Sequence, residues 1–284
     1  MTPKRLAFVC CALLPLIGIA LAIIHIHSTW LPKMRPVEKE LPYTISPRRS
    51  DSLRIVMIGD SWAGIHNAGG YDIQLQKMIA AETGEKVSFK SSGLGGAKSG
   101  DIYKLMFGHA TYDGDKKYST RSLLAAHPDY CIVSAGINDA AANIGYDTYH
   151  HNLSLIVDWL IKCDITPVII EIPDVNLQLL YSGKPVYDKF TDWLRSCIAH
   201  CDMYNVSGYR LVQQKMMEQD RSTAGKIVYI DKDKWNRDGY RDTEQLYSDE
   251  QIHLNSYGYR KLDSCIATMV AADVKRRRQQ NIQQ

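Results

Sequence analysis

Phenylalanine is scarce in this chain, with 4 among 284 residues against 17 tyrosines and 5 tryptophans. Its aromatic groups are therefore mostly of the kind that stack through a ring and hydrogen-bond through a polar edge. A large excess of one charge is missing too. The formal charge is +3, and without the four basic residues of the run Lys275 to Arg278 the acidic residues outnumber the basic by one. That excludes a domain-wide basic field for nucleic acid, and the end "KRRRQQNIQQ" reads as a solvated tail. Cysteine is too sparse for a disulfide framework. Cys10 and Cys11 fall in an apolar run, which leaves the odd set Cys131, Cys163, Cys197, Cys201 and Cys265. Cys197, His200 and Cys201 have no second cluster at ligand spacing, so neither a metal nor a cofactor is expected. Apart from the Gln-rich end, no repeat or low-complexity tract is visible.

Long apolar runs are absent as well, with one exception. Lys4 and Arg5 precede nineteen uncharged residues, Leu6 to Ile24, about the length that crosses a hydrocarbon core. The "ALA" at Ala20 to Ala22 resembles a signal-peptidase site, yet the apolar run continues through Ile24, which suits an uncleaved anchor better than a cleaved signal. Residues 1–28 are read as that signal anchor or signal peptide. Residues 29–52, with four prolines and mixed charge, are read as a linker.

From Leu53 the pattern changes. Apolar strands such as "LRIVMIG", "KVSFKSS", "HPDYCIVSAG", "ITPVIIEIP" and "KIVYID" alternate with amphipathic helices such as "YDIQLQKMIAAETG", "YHHNLSLIVDWLIKC", "YDKFTDWLRSCIAHC" and "SYGYRKLDSCIATMVAADV". Strands separated by helices imply right-handed crossovers and a parallel sheet covered on both faces. The expected fold is a three-layer α/β/α sandwich around a mainly parallel sheet of about five strands, spanning 53–274, with 275–284 as a tail.

Ligands of such a sheet bind at the carboxyl ends of its strands. Three of those ends carry polar residues that build no core: Gly59-Asp60-Ser61, the loop "SSGLGGAKSGD", and "SAGIND" with Gly136, Asn138 and Asp139. Each alone is compatible with a tight turn or a helix cap. Together they converge on one edge. A fourth block, "LYSDEQIHLNSYGY", adds His253 with carboxylates three and four residues before it. A hydroxyl, a histidine, a carboxylate and oxyanion donors are the parts that acyl transfer needs.

The chain resembles the SGNH (GDSL-type) hydrolase superfamily over about Leu53 to Val274, with "GDS" at 59–61, the glycine block at 93–96, "GIND" at 136–139 and "IHLN" at 252–255 in the family's order. The resemblance implies a flavodoxin-like fold, Ser61 as nucleophile and His253 as general base. It also implies an oxyanion hole from the backbone N–H of Ser61, the backbone N–H of Gly96 and the side chain of Asn138. Asp60 is then part of the turn that exposes Ser61. One departure stands out: where the family has an aspartate three residues before the histidine, this chain has Glu250, and Asp249 lies four before. The longer glutamate arm can reach from the family position, and a one-residue bulge returning Asp249 is the alternative.

The resemblance further implies an esterase of the cell envelope, an extracytoplasmic domain on a membrane anchor or a secreted periplasmic form, acting on O-acetyl groups of carbohydrate. The tyrosine-rich composition agrees with a sugar substrate. The segments "FGHATYDGDKKYSTR" and "DKDKWNRDGYRDTEQLYS" flank the expected site with charge and aromatics, which suits a polar substrate. An O-acyltransferase of envelope glycans, a lipase or thioesterase, and a non-catalytic carbohydrate-binding module remain the alternatives.

Overall fold

Val56 to Gly59 of the first strand, all of Tyr130 to Ser134 and all of Thr166 to Ile170 are buried residue after residue, so neither face of these strands meets water. A strand covered on both sides reads as a continuous apolar run, and that is why these segments stood out in the sequence. The computed structural model describes residues 3–48, 51–109, 119–223, 225–237, 245–248 and 252–282. Five parallel strands, β1 (Leu53–Gly59), β2 (Val87–Gly93), β3 (Tyr130–Ser134), β4 (Thr166–Ile170) and β5 (Val228–Ile230), lie in the order β2-β1-β3-β4-β5.

Register places the ends of the first three strands side by side: Gly59 pairs with Gly93 on β2 and with Ser134 on β3. The first crossover leaves β1 for β2, and the next returns past β1 to β3. The chain therefore winds in opposite directions on the two sides of β1, and the crevice between the ends of β1 and β3 is the switch point where such sheets bind ligands. One helical layer holds α4 (Tyr71–Thr83) and α12 (Ser256–Ile282), which pack on each other. The other holds α5 (Ser99–Met106), α6 (Thr120–Ala125), α8 (Tyr146–Lys162) and α11 (Val206–Thr223). Short helices α3 (Ser61–Ala68) and α7 (Ile137–Ala142) start directly at the ends of β1 and β3; α9 (Leu177–Leu180) and α10 (Val186–Ala199) complete the β4-to-β5 connection.

α12 shows how an element is chosen by its buried stripe. Tyr259, Leu262, Asp263, Ile266, Ala267, Val270, Ala271 and Val274 are all buried, a three-and-four spacing that faces one side of a helix to the core. Its start is capped by Asn255, whose Oδ1 accepts from the backbone N–H groups of Tyr257 and Gly258, both at 2.9 Å.

The N-terminal region holds helix α1 (Pro3–His25), a π-helical turn at 26–30 and helix α2 (Leu31–Met34). The stretch Leu13–Trp30 has mean hydropathy 1.7 and is long and apolar enough to cross a membrane. Leu14, Leu16, Leu21 and Ile24 on it are each more than half exposed. Residues 35–48, which carry three of the prolines, form no regular element, but they are fastened along the domain. Val37 N–H donates to Asn152 Oδ1 at 3.0 Å, Glu40 N–H to Tyr103 Oη at 3.0 Å and Ser46 N–H to the Ala125 carbonyl at 2.9 Å. Tyr43 packs between Phe107, edge-on at 5.6 Å, and Trp159, tilted at 5.1 Å.

Candidate active site

Asp60 leaves β1 in an extended conformation and caps α3, its Oδ1 accepting from the Trp62 N–H at 3.0 Å and from Ser134 Oγ at 2.9 Å. Ser61 is thereby the first residue of the helix, with its N–H among those that have no intrahelical partner. The tightness of this corner requires glycine on the neighbouring strand. A Cβ on Gly93 would lie 2.2 Å from the Asp60 carbonyl oxygen and 2.4 Å from the Gly64 nitrogen, so any side chain there would push α3 off the sheet.

His253 arrives from the other end of the sequence. Its Nε2 stands 3.0 Å from Ser61 Oγ, and both side chains are partly exposed. The loop that carries it is pinned on both sides. Tyr247 and Leu254 form an antiparallel bridge, Ser248 N–H donates to the His253 carbonyl at 2.8 Å, and Asn255 N–H to the Leu246 carbonyl at 2.9 Å. The indole of buried Trp62 donates to the Ile252 carbonyl at 3.0 Å, so the residue after the serine holds the residue before the histidine. Trp62 is itself packed against Trp235 and Tyr247. The "GDS" serine and the "IHLN" block were legible separately; this indole link between them was not.

Asn138 lies at the head of α7, across the switch point. Its Nδ2 donates to the Ala97 carbonyl at 3.1 Å and stands 3.5 Å from Asp60 Oδ2. The first contact ties it to the loop of Gly96, the second to the turn of Ser61. Gly96 is exposed, with φ +74°, in a turn closed by Ala97 N–H to the Leu94 carbonyl at 3.1 Å. Asp139, next to Asn138, is fully buried and accepts from Ser99 N–H at 3.0 Å and Ser99 Oγ at 2.5 Å, which locks α7 onto the start of α5. Ser61, His253, Asn138 and the Gly96 loop thus meet at one edge. Asp249 and Glu250 lie outside the described residues.

Two carboxyls beneath this edge are perturbed. Burial raises Asp60 to about 6, opposed by its hydrogen bonds from Trp62 and Ser134 and by the nearby His253. Burial likewise raises Asp139 to about 7, against its Ser99 hydrogen bonds. Besides shaping the turn, Asp60 ties it to the end of β3 through Ser134 and to the start of α7 through Asn138. No pattern in the sequence announces this, since the contacts depend on the β2-β1-β3 strand order.

One further group escaped the sequence. His66, five residues after Ser61 on α3, is fully buried between Asp72 Oδ1 at 2.7 Å on Nδ1 and Asp263 Oδ1 at 3.0 Å on Nε2. Burial alone would lower its pKa, but the hydrogen bonds and charges of Asp263 and Asp72 outweigh this and raise it to about 9. Ser91 and Gln74 saturate the two carboxylates, with Ser91 Oγ donating to Asp72 at 2.6 Å and Gln74 Nε2 to Asp263 at 2.8 Å. The network clamps α3 to α4 and α12.

Residues 57–261 match the model of the GDSL-like lipase/acylhydrolase family. Among solved structures, the lipase/acylhydrolase from Enterococcus faecalis superposes with TM-score 0.55 at 18% identity, over 78% of this chain and 96% of that one. An acetyl xylan esterase gives 0.52 at 17% identity, over 75% and 97%. A lipase from a goat rumen metagenome gives 0.51 at 13% identity, over 77% and 97%. At these identities the likeness is one of fold. No curated protein matches the sequence at a significant level.

Proposed function

Because the chain belongs to the GDSL-like lipase/acylhydrolase family, we propose that it cleaves an O-acetyl ester of a carbohydrate, with Ser61 as nucleophile and His253 as general base. The 3.0 Å approach of His253 Nε2 to Ser61 Oγ carries this reading. It is within hydrogen-bond reach for proton transfer, at a serine that opens a helix and is open to solvent on one side.

Ser61 Oγ attacks the ester carbonyl carbon as its proton passes to His253 Nε2. The carbonyl oxygen becomes an oxyanion facing the N–H of Ser61, the N–H of Gly96 and the Asn138 amide. One N–H of that amide is held by the Ala97 carbonyl, and the other, at rest 3.5 Å from Asp60 Oδ2, turns to the oxyanion when substrate binds. The imidazolium then protonates the departing sugar oxygen, and the acyl group remains on Ser61. Water attacks this acyl-enzyme with His253 again taking the proton; collapse releases acetate and returns the proton to Ser61. Glu250 is proposed to hold the His253 tautomer, with Asp249 as the competing candidate. The apolar N-terminal helix is proposed as an uncleaved anchor that keeps the exported domain at the membrane of the cell envelope.

The polar and aromatic sequence of residues 107–121 and 231–248, of which 110–118 and 238–244 lie outside the described residues, supports a sugar ester over a long acyl chain. The full-length protein in detergent micelles should release acetate from 4-nitrophenyl acetate and from O-acetylated glycans. Ser61→Ala should abolish both. Acetate appearing on an added acceptor alcohol in preference to water would make the protein a transferase, and glycan binding without turnover would make it a binding module.

A further inference from the structure

Beside the Gly96 loop lies a cavity of about 220 Å³ whose wall on one side is the N-terminal strap and on the other the start of α5. Arg35, Lys98 and Lys104 line it, with Asp101 as its one carboxylate. Lys98 is paired with Asp101 at 2.6 Å, whereas Arg35 and Lys104 have no carboxylate partner among the described residues. Three cations against one anion leave about two positive charges uncompensated, which matches the charge of about −1.5 to −2 that a phosphate monoester carries at neutral pH. Buried Asn152 also lines the cavity, and it fixes the wall through its bond from the Val37 N–H.

The position of the cavity is set from two directions. Lys98 is two residues past Gly96 and next to Ala97, the residue that holds the Asn138 amide. Asn152 on the cavity wall also donates to Ser99 Oγ at 3.4 Å, and Ser99 donates to Asp139 beside Asn138, which ties the cavity to the proposed oxyanion site. On the other wall, Arg35 follows Trp30, the last residue of the membrane-compatible stretch, by five positions. That is about 7 Å of helix, comparable to the roughly 5–8 Å depth of one headgroup layer. Two hydrogen bonds fasten the end of this stretch to the domain. The Trp30 indole donates to the Ala142 carbonyl at 3.0 Å and Thr148 Oγ1 to the Met34 carbonyl at 2.8 Å, both onto the α7–α8 region.

We propose that this cavity is a phosphate subsite of the substrate, so that the ester cleaved at Ser61 belongs to an acylated sugar phosphate carried at the bilayer surface. The proposal rests on the esterase reading and narrows its substrate. The strap is then part of the binding site, and the anchor presents the catalytic edge of the sheet at the depth where lipid-borne sugar phosphates lie. Lysine serves as a point charge and arginine as a fork for phosphate oxygens.

The test compares an O-acetylated hexose 1-phosphate with the same O-acetylated hexose lacking phosphate, using the full-length protein in a non-ionic, phosphate-free detergent. The phosphate should lower KM at least about tenfold, inorganic phosphate should compete, and Lys104→Glu or Arg35→Ala should erase the difference between the two esters. Both side chains are exposed, and each variant's fold is checked by its melting curve. Ser61-dependent cleavage with equal KM for both esters, or a phosphate preference that survives both variants, overturns the subsite while leaving the esterase reading standing. Loss of the preference on adding phosphatidylglycerol to the micelles assigns the cavity to bulk headgroups and overturns the substrate assignment. Absence of any Ser61-dependent cleavage overturns the esterase reading itself.

Discussion

Helix α3 carries a group at each end that contacts a distant part of the chain, and the two ends behave oppositely. At its start, Ser61 meets His253, a partly exposed imidazole whose Nε2 faces a neutral hydroxyl. Near its end, His66 is fully buried with a carboxylate on each ring nitrogen. Two carboxylates hold a proton on both nitrogens and turn the imidazole into a fixed cation that no longer exchanges protons near neutrality. A base must keep one nitrogen free to gain and lose its proton. A carboxylate on each ring nitrogen therefore marks His66 as structural, and it holds the helix on which the proposed nucleophile Ser61 sits.

The comparison breaks most visibly if substitutions at the two ends have similar effects. Ser61→Ala or His253→Ala should lower kcat by about 10⁵–10⁶, the scale of nucleophile or base knockouts in a serine hydrolase, with the melting temperature little changed. His66→Gln should do the reverse and destabilise the fold, because it leaves Asp72 and Asp263 facing each other's neighbourhood without the cation between them. Activity per folded molecule, measured beside thermal melts, checks both. A folded Ser61→Ala protein with full esterase activity would remove the site from α3 altogether.

The next effect in size concerns what orients His253. Glu250→Gln should cost about 10⁴ in kcat, comparable to a triad acid, while Asp249→Asn changes little. The reverse result would place a bulge before "IHLN". Rates close to wild type in both would mean that a neutral group holds the imidazole. The two variants are to be assayed on one ester between pH 5 and 9, so that each is compared at its own optimum.

Much of this was legible in the sequence, and the rest was hidden for identifiable reasons. β1, β3 and β4 announced themselves because both of their faces are covered. α11 did not: its inward face includes Arg210 and Gln213, buried polar groups that break the apolar period. Gln213 accepts from Ile172 N–H at 2.9 Å and donates to the Ile170 carbonyl at 3.2 Å, so it acts as a surrogate strand neighbour at the end of β4. Pro36, Pro42 and Pro47 signalled the absence of regular structure over residues 35–48 but not the docking that fastens them, and Pro32 instead lies at the start of the short helix α2. Ser61, Asn138 and His253 could be named because each sits in a short block at a strand end or helix start. His66 could not, since Asp72 and Asp263 lie 6 and 197 residues away and nothing local singles it out.

Asn138 sharpens the contrast from the reactive side. Its amide is held by Ala97 and sits beside Asp60, and Asn138→Ala should lower kcat by about 10²–10³ with KM nearly unchanged, the usual effect of losing one oxyanion donor. A rise in KM alone would make it a ground-state binding group.

The smallest effect is a pH dependence of stability centred on the structural end, with a further part from Asp60 at the other end. His66 is held at about 9 in the fold, above its value near 6.5 in an unfolded chain, so the folded state binds its proton more tightly. The stability this contributes is complete below pH 6.5 and is lost as pH rises through 9, to a total of about 3 kcal/mol. Asp72, depressed by its hydrogen bonds from His66 and Ser91 against the opposing effect of burial, acts with the opposite sign. Its contribution is present above the usual carboxylate range and lost on acidification. Asp60, raised by burial, adds a gentler decline as pH climbs toward 6. Urea unfolding of the full chain in micelles should therefore show stability falling between pH 7 and 10, and His66→Gln should flatten that fall. The imidazole resonances of the wild type provide a check that does not depend on the variant folding: His66 should titrate near 9. A His66 that titrates near 6.5 would show that the two carboxylates do not hold it as a cation, and the division between the two ends of α3 would fail.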